Sequence, residues 1–323
     1  MTTRCRVAVI QAGSVPFDGP GSIEKAADLM AQAARERAKL VVFPEAFVGG
    51  YPKGLDFGAR VGMRSPEGRS EFQRYWEGAI EVPGPATDAI AAAAKMNDIY
   101  VVIGVIERDA GTLYCTVAFF SPDGDFLGKH RKLMPTAMER LIWGFGDGST
   151  LPVIETPVGR IASVICWENY MPMLRMAMYA KGVQLYCAST VDDRETWIPT
   201  VRHIALEGRC FVLSASQYIT RGAYPEDYPA IQGHDPQTVL IRGGSCIVSP
   251  LGEMLAGPDY DGERVLIAEV DVGEIAGGKY DLDVVGHYSR PDVFRLYVNE
   301  RANLAAVYTS APPADPFAEP GGG

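Results

Sequence analysis

Gly159-Arg-Ile-Ala-Ser-Val-Ile-Cys166-Trp-Glu-Asn-Tyr-Met-Pro172 is an apolar run that ends at a cysteine and gives way to a helix-like stretch opened by proline. The β-branched and small residues up to Ile165 favour a strand, and proline suits the first turn of a helix. A strand passing straight into a helix is the repeating step of an α/β sheet, so Cys166 is placed at the mouth of that sheet. There the positive end of the following helix favours a thiolate, which makes Cys166 a candidate nucleophile as well as a candidate core residue.

Working outward, two more ionisable residues leave strand ends. Glu45 follows Leu40-Val-Val-Phe-Pro44, and Lys132 closes Phe126-Leu-Gly-Lys-His-Arg-Lys132. Upstream, Arg6–Ile10 reads as a first strand. A helix capped by Ser22, with Ala26, Ala27, Met30, Ala33 and Ala34 on one face, follows it. Residues 87–97 read as an alanine-rich helix and Tyr100–Ile106 as a buried strand, which makes β-α-β-α-β. Ser-Pro-Asp-Gly at 121–124 then joins residues 115–120 to 126–132 in a hairpin, so the sheet is mixed. A second half repeats the logic: a strand at 161–165, a helix at 172–180 stopped by Gly182, a strand at 183–188, a helix at 199–207 and a strand at 211–215. Residues 245–248, a Pro250-Leu-Gly turn and a strand at 265–270 close it. Two such halves with helices outside imply an α/β fold of two packed mixed sheets. No linker interrupts it, so residues 1–311 read as one domain. The Pro/Gly-rich stretch 312–323 lacks the apolar content to join a core and reads as a disordered tail.

The 323 residues are 47% hydrophobic and 22% charged, ordinary globular proportions, with a net charge of -10. That acidic excess argues against a nucleic-acid partner and fits a small neutral or weakly polar substrate. No apolar run approaches the roughly 20 residues a bilayer span needs, and Met-Thr-Thr-Arg-Cys-Arg leads directly into a strand, so a cytoplasmic protein with no membrane association is expected. Six cysteines without Cys-x-x-Cys spacing read as reduced thiols. Cys5, Cys115, Cys187, Cys210 and Cys246 all fall in strand-like runs as core residues. The four histidines show no i, i+4 pairing, which speaks against a histidine metal site. Gly144-Phe-Gly-Asp-Gly148 has no preceding strand and no following base, so it reads as a pocket or interface loop rather than a phosphate cradle.

If Glu45 shares a pocket with Cys166, burial would raise its pKa toward a useful general base. Lys132 would then stabilise negative charge on an attacked group, and Glu139, seven residues on, would orient the lysine or a water. Phe47, Tyr51, Trp167 and Trp197 are candidates for an apolar substrate wall.

Phe43-Pro-Glu45-Ala-Phe, His130-Arg-Lys132-Leu-Met-Pro-Thr and Cys166-Trp-Glu168-Asn-Tyr-Met-Pro resemble the base, lysine and nucleophile motifs of the nitrilase branch of the carbon-nitrogen hydrolase superfamily. The stretch from Glu139 to Gly148 and Gly286-His-Tyr-Ser-Arg-Pro-Asp-Val-Phe resemble true nitrilases rather than amidases or carbamoylases. The resemblance runs from about Val7 to Val298. It implies a nitrilase-type α-β-β-α sandwich, a Glu45–Lys132–Cys166 triad supported by Glu139, and neither metal nor cofactor. It further implies hydrolysis of a nitrile to acid and ammonia through a thioimidate and an acyl-enzyme, in a homodimer or a larger spiral homo-oligomer. Aryl or arylaliphatic nitriles are the expected substrates. Ser189 departs from the proline expected in many relatives, which touches the pocket's shape. A thiol amidase or a nitrile-hydrating enzyme on the same scaffold is the nearest alternative. An amidotransferase-type cysteine fits less well beside Ile165 and Trp167, and a silent scaffold protein fits poorly with all four positions filled.

Overall fold

The computed structural model describes residues 4–307, so the proline-rich tail from Pro312 lies outside the described residues. In chain order the elements are β1 (Arg4–Gln11), α1 (Gly19–Arg35), β2 (Ala38–Val42), α2 (Pro66–Glu77), α3 (Pro85–Met96), β3 (Tyr100–Asp109), β4 (Thr112–Phe120) and β5 (Phe126–Arg131). The second half holds β6 (Ile154–Thr156), β7 (Gly159–Ser163), α4 (Pro172–Ala180), β8 (Leu185–Thr190), α5 (Trp197–Gly208) and β9 (Phe211–Ser216). After it come β10 (Tyr218–Thr220), β11 (Val239–Arg242), β12 (Ser245–Val248), β13 (Met254–Asp259), β14 (Arg264–Asp271) and α6 (Glu274–Gly278).

Two six-stranded sheets form, ordered β14-β1-β2-β3-β4-β5 and β13-β12-β9-β8-β7-β6. Each has three parallel strands at its centre, β1-β2-β3 and β7-β8-β9, flanked by antiparallel ones. Period-2 alternation splits each central strand between two cores. Val7, Val9, Leu40 and Val42 meet Ile161, Leu185, Cys187 and Leu213 between the sheets. Ala8, Ile10, Val41 and Phe43 face outward to Met30 of α1 and Ile90 of α3. On the other side Ala162, Tyr186 and Val212 face Met178 of α4 and Val201 and Ile204 of α5. The result is the α-β-β-α sandwich of two mixed sheets.

Several local expectations shift. Asp18, not Ser22, caps α1 by accepting from Gly21 N at 2.9 Å; Ser22 is buried inside the first turn, where its hydroxyl bonds Val15. The whole of α2, capped by Ser65, was not anticipated, because its residues are mostly polar and exposed. Cys210 sits between α5 and β9 rather than in a strand; all six cysteines are free thiols. No described helix is long and apolar enough to cross a membrane.

Candidate active site

Glu45, Cys166 and Thr190 all leave the carboxyl ends of central parallel strands, β2, β7 and β8, where open α/β sheets place their sites. The Pro44–Ala46 turn is pinned from both sheets. Gly104 of β3 lies against it so closely that a Cβ there would come within 2.2 Å of Pro44 O. From beyond β9, the Gln217 amide donates to Glu45 O at 2.8 Å. Ser189 Oγ donates to Phe43 O at 2.8 Å, so the residue standing where a proline was expected is a hydrogen-bonded tie between the sheets.

Lys132 continues β5 past its last residue, with its backbone N–H on Cys115 O at 2.8 Å. Its ammonium is fully buried and donates to Glu45 Oε1 at 2.6 Å and to Glu139 Oε2 at 2.8 Å. Glu139 also accepts from Thr136 N (2.7 Å) and from the Tyr51 hydroxyl (2.8 Å). The Cys115 thiol donates to Glu45 Oε1 at 3.4 Å, whereas Glu45 Oε2 is buried with no hydrogen-bond partner. Gly144–Gly148 lines no part of this cavity. Gly146 donates to Lys132 O at 2.8 Å and packs so tightly on β5 that a Cβ would stand 2.2 Å from Arg131 O, which makes the loop a brace for the lysine.

Cys166 is held at φ 50°, the left-handed region that costs an L-residue roughly 1–2 kcal/mol. This strained elbow turns its sulfur toward the cavity, where the Thr190 hydroxyl donates to it at 3.2 Å. The expected thiolate from a helix end is not what the structure holds. A 3₁₀ turn over Cys166–Tyr170 intervenes and α4 begins only at Pro172. Burial pushes the thiol pKa up, Glu45 adds to this, and Lys132 offsets part of it. Burial and Glu139 likewise raise the Glu45 carboxyl above its usual range against the pull of Lys132 and the approach of the thiol. For Lys132 burial works against the charge, yet Glu45, Cys166, Cys115 and Glu139 together hold it protonated well above the usual range. A neutral thiol thus faces a raised carboxyl and a fixed ammonium.

The cavity over Cys166, about 190 Å³, is lined by Tyr51, Thr136 and Glu139 on one side and by Trp167, Asp192 and Arg194 on the other. Trp167 Nε1 donates to Asp192 Oδ2 at 2.8 Å while the Arg194 guanidinium lies 4.7 Å from its ring centre. Tyr51 and Glu139 also wall a neighbouring cavity of about 330 Å³ with Leu55, Phe57, Ile142 and Trp143. Of the four aromatic candidates, Tyr51 and Trp167 line the cavity. Phe47 does not: it is fully buried on the outer face of the first sheet, 5.1 Å from the Phe43 ring. Trp197 does not either; as the first residue of α5 it is buried against the outer face of the second sheet, with its indole on Ser214 Oγ at 2.8 Å, and reaches Trp167 only through Tyr170. Thr136, Thr190, Cys115 and the Asp192–Arg194 pair were not singled out from sequence. Thr190 carried a signal as the end of the strand next to that of Cys166, and Thr136 as the last residue of the His130-Arg-Lys132-Leu-Met-Pro-Thr motif. Among the described residues no cluster of three His, Cys, Asp or Glu side chains is arranged to hold a metal ion.

A carbon-nitrogen hydrolase family model matches residues 6–280. The chain is 60% identical to a nitrilase of Bradyrhizobium diazoefficiens, covering 95% of each chain. It is 57% identical to an aliphatic nitrilase of Sinorhizobium fredii (94% of this chain, 99% of that one) and 54% to a bifunctional nitrilase/nitrile hydratase of Lupinus angustifolius (95% and 89%). The fold matches the C. elegans NitFhit protein with a TM-score of 0.71 at 20% identity, over 94% of this chain and 69% of that one.

Proposed function

Since the chain belongs to the carbon-nitrogen hydrolase family, and within it to the nitrilases, we propose that it converts an organic nitrile to the carboxylic acid and ammonia with Cys166 as nucleophile. The observation that carries this reading is the free oxygen of Glu45: Oε1 is taken by Lys132 and Cys115, and Oε2 is left to receive a proton. Cys166 Sγ attacks the nitrile carbon as its proton passes to Glu45 and on to the nitrogen, giving a thioimidate. Lys132, already charged, stabilises the electron density that collects on that nitrogen. Water then adds to the thioimidate carbon while Glu45 takes its proton. That proton returns to nitrogen, and the hydroxyl proton of the adduct follows it through Glu45 as the C–N bond breaks and the C=O forms, which releases ammonia and leaves an acyl thioester that a second water hydrolyses. Glu139, tied to Lys132, Thr136 and Tyr51, fixes the ammonium in place.

The apolar cavity beside Tyr51 and Glu139 supports a nitrile with a sizeable apolar substituent, aryl or arylaliphatic, although one close relative is named an aliphatic nitrilase. Assembly into homo-oligomers is supported by apolar side chains exposed on the helix layer of the second sheet, Met173, Leu206 and Leu251. Acid is the expected main product and amide the minor one; the bifunctional relative in lupin makes the ratio a quantity to measure. Ammonia release across aliphatic, aromatic and arylacetonitriles, with chromatography of early time points, tests the reading. Turnover fastest on aryl or arylaliphatic nitriles is expected. Amides hydrolysed faster than every nitrile, or amide as the dominant product throughout, would overturn it.

A further inference from the structure

Two residues beyond the thiol, Glu168 turns away from the cavity and is buried with His130. One carboxylate oxygen, Oε2, accepts from Ile165 N and from His130 Nε2, both at 2.9 Å; the other, Oε1, accepts from Leu133 N at 2.5 Å. His130 Nδ1 donates to Thr150 O at 2.7 Å. A carbonyl has no proton to offer, so Nδ1 carries one; a carboxylate already taking two backbone N–H groups acts as an acceptor, so Nε2 carries the other. The pair is therefore an imidazolium and a carboxylate taken out of water. Such a pair is a costly way to fill a core, which an apolar pair of similar size fills at least as well.

Its place explains it. Ile165 immediately precedes Cys166 and Leu133 immediately follows Lys132, so one carboxylate grips the backbone on both sides of the reacting pair. The histidine fastens the same joint to Thr150, whose hydroxyl in turn accepts from Arg131 N at 3.2 Å. The geometry points to His130 and Glu168 as positioning residues that set the spacing of Lys132 and Cys166, and through it the share of the tetrahedral intermediate that loses ammonia rather than thiolate. This rests on the nitrilase reading above. When the intermediate expels ammonia, the C–N bond breaks with a proton placed on nitrogen and the thioester remains. When the C–S bond breaks instead, the thiolate takes a proton back from Glu45 and the amide leaves. Lys132 must stand beside the nitrogen for the first course to prevail.

Glu168→Gln keeps the shape but turns one acceptor into a donor, which in its better orientation opposes Leu133 N–H and pushes the lysine's neighbour away. A shift of this kind lowers kcat by about a hundredfold with KM little changed. The distinguishing readout is the amide-to-acid ratio, expected to rise roughly threefold or more, a change of about 0.65 kcal/mol between the two exits. His130→Gln, which keeps one donor for Glu168 but not the charge, is expected to move the ratio the same way by less. Val248→Ala, which opens a cavity in the outer core of the second sheet, should lower the melting temperature and leave the ratio alone. An unchanged ratio in both site variants, or an equal rise in Val248→Ala, overturns the proposal. Nitrogen-15 NMR of the wild type keeps it testable if neither variant folds: two protonated ring nitrogens on His130 at pH 7.5 support it, and a neutral ring overturns it. A wild-type protein that releases no ammonia from any nitrile would instead defeat the nitrilase reading itself.

Discussion

Four consecutive residues at the end of one strand, Lys129-His130-Arg131-Lys132, supply two ionic clusters that look alike in composition and differ in stoichiometry. Alternation sends Lys129 and Arg131 to the rim, where Glu107 accepts from Lys129 at 2.5 Å, from Arg131 at 2.6 and 3.0 Å, and from the Thr116 hydroxyl at 2.8 Å. Arg131 also donates to Asp109 at 2.9 Å, so two carboxylates there serve two cations, and both oxygens of Glu107 are occupied. His130 and Lys132 point inward. In that interior cluster Lys132 is shared by two carboxylates, and one oxygen of Glu45 is left without a partner. Matched charge gives a brace, whereas a carboxylate in excess inside a dry cavity gives a base with a raised pKa. The contrast predicts that changes inside alter chemistry and changes at the rim alter stability.

The largest effect should come from the thiol. Cys166→Ala is expected to lose about 10⁴-fold or more in turnover, while its melting temperature stays near that of the wild type because only a sulfur is removed. Cys187→Ala, equally buried but within β8, should keep its activity. Substantial nitrile hydrolysis by folded Cys166→Ala would end the distinction between the two cysteines.

Glu139→Gln tests the stoichiometry directly. It leaves Lys132 with a single carboxylate and removes one of the influences that raise the Glu45 pKa. A loss of about a hundredfold in kcat is expected. Because Glu45 must be ionised to accept the thiol proton, a lower pKa also moves the acid limb of the pH–rate profile to lower pH. An acid limb that stays put would show that Glu139 does not act on the base electrically.

How much of this was legible in the residues follows from the same distinction. Glu45, Lys132 and Cys166 each stand where an apolar run stops, so their strand ends could be read from the chain, and the two-sheet architecture came from the same runs. What each end faces depends on the partner sheet, which local sequence does not encode. Phe47 lies two residues past Glu45 yet packs under α1 and α3, and Trp197 opens α5 and packs on the outer face of the second sheet, because an aromatic side chain has no local mark of core or cavity. The thiolate expectation failed on distance: the helix that would lower the thiol pKa starts six residues too late. Glu168 was visible in Cys166-Trp-Glu168, but its role required knowing that Leu133 lies beside Ile165.

At the rim, Glu107→Gln should do the reverse of Glu139→Gln. It takes from Lys129 its carboxylate, leaving only Val82 O, and leaves Arg131 with Asp109 alone; both are largely withdrawn from solvent, for a stability loss of about 2 kcal/mol with activity within roughly threefold of the wild type. Urea denaturation and initial rates measured on the same preparations decide it. A hundredfold loss of activity there would erase the contrast between the clusters.

The smallest effect concerns the pH dependence of stability at the inner pair. Burial disfavours the charge on His130, but Glu168, through its charge and its hydrogen bond, and the bond to Thr150 outweigh it and raise the pKa above the ordinary 6.5. Glu168 is the charged group acting on the ring. Since the folded state holds the proton more tightly than the unfolded chain, this contribution is fully present below about pH 6.5 and fades as pH rises through the higher folded value. Within that window one proton changes the unfolding free energy by at most about 1.4 kcal/mol per pH unit. Urea midpoints of wild type and His130→Gln, taken from pH 6 upward, should therefore converge as the pH increases, the wild type losing its advantage. Midpoints that stay parallel across the range would mean that the ring binds its proton no more tightly in the folded protein than in the unfolded chain, which removes the imidazolium assigned to the joint between Lys132 and Cys166.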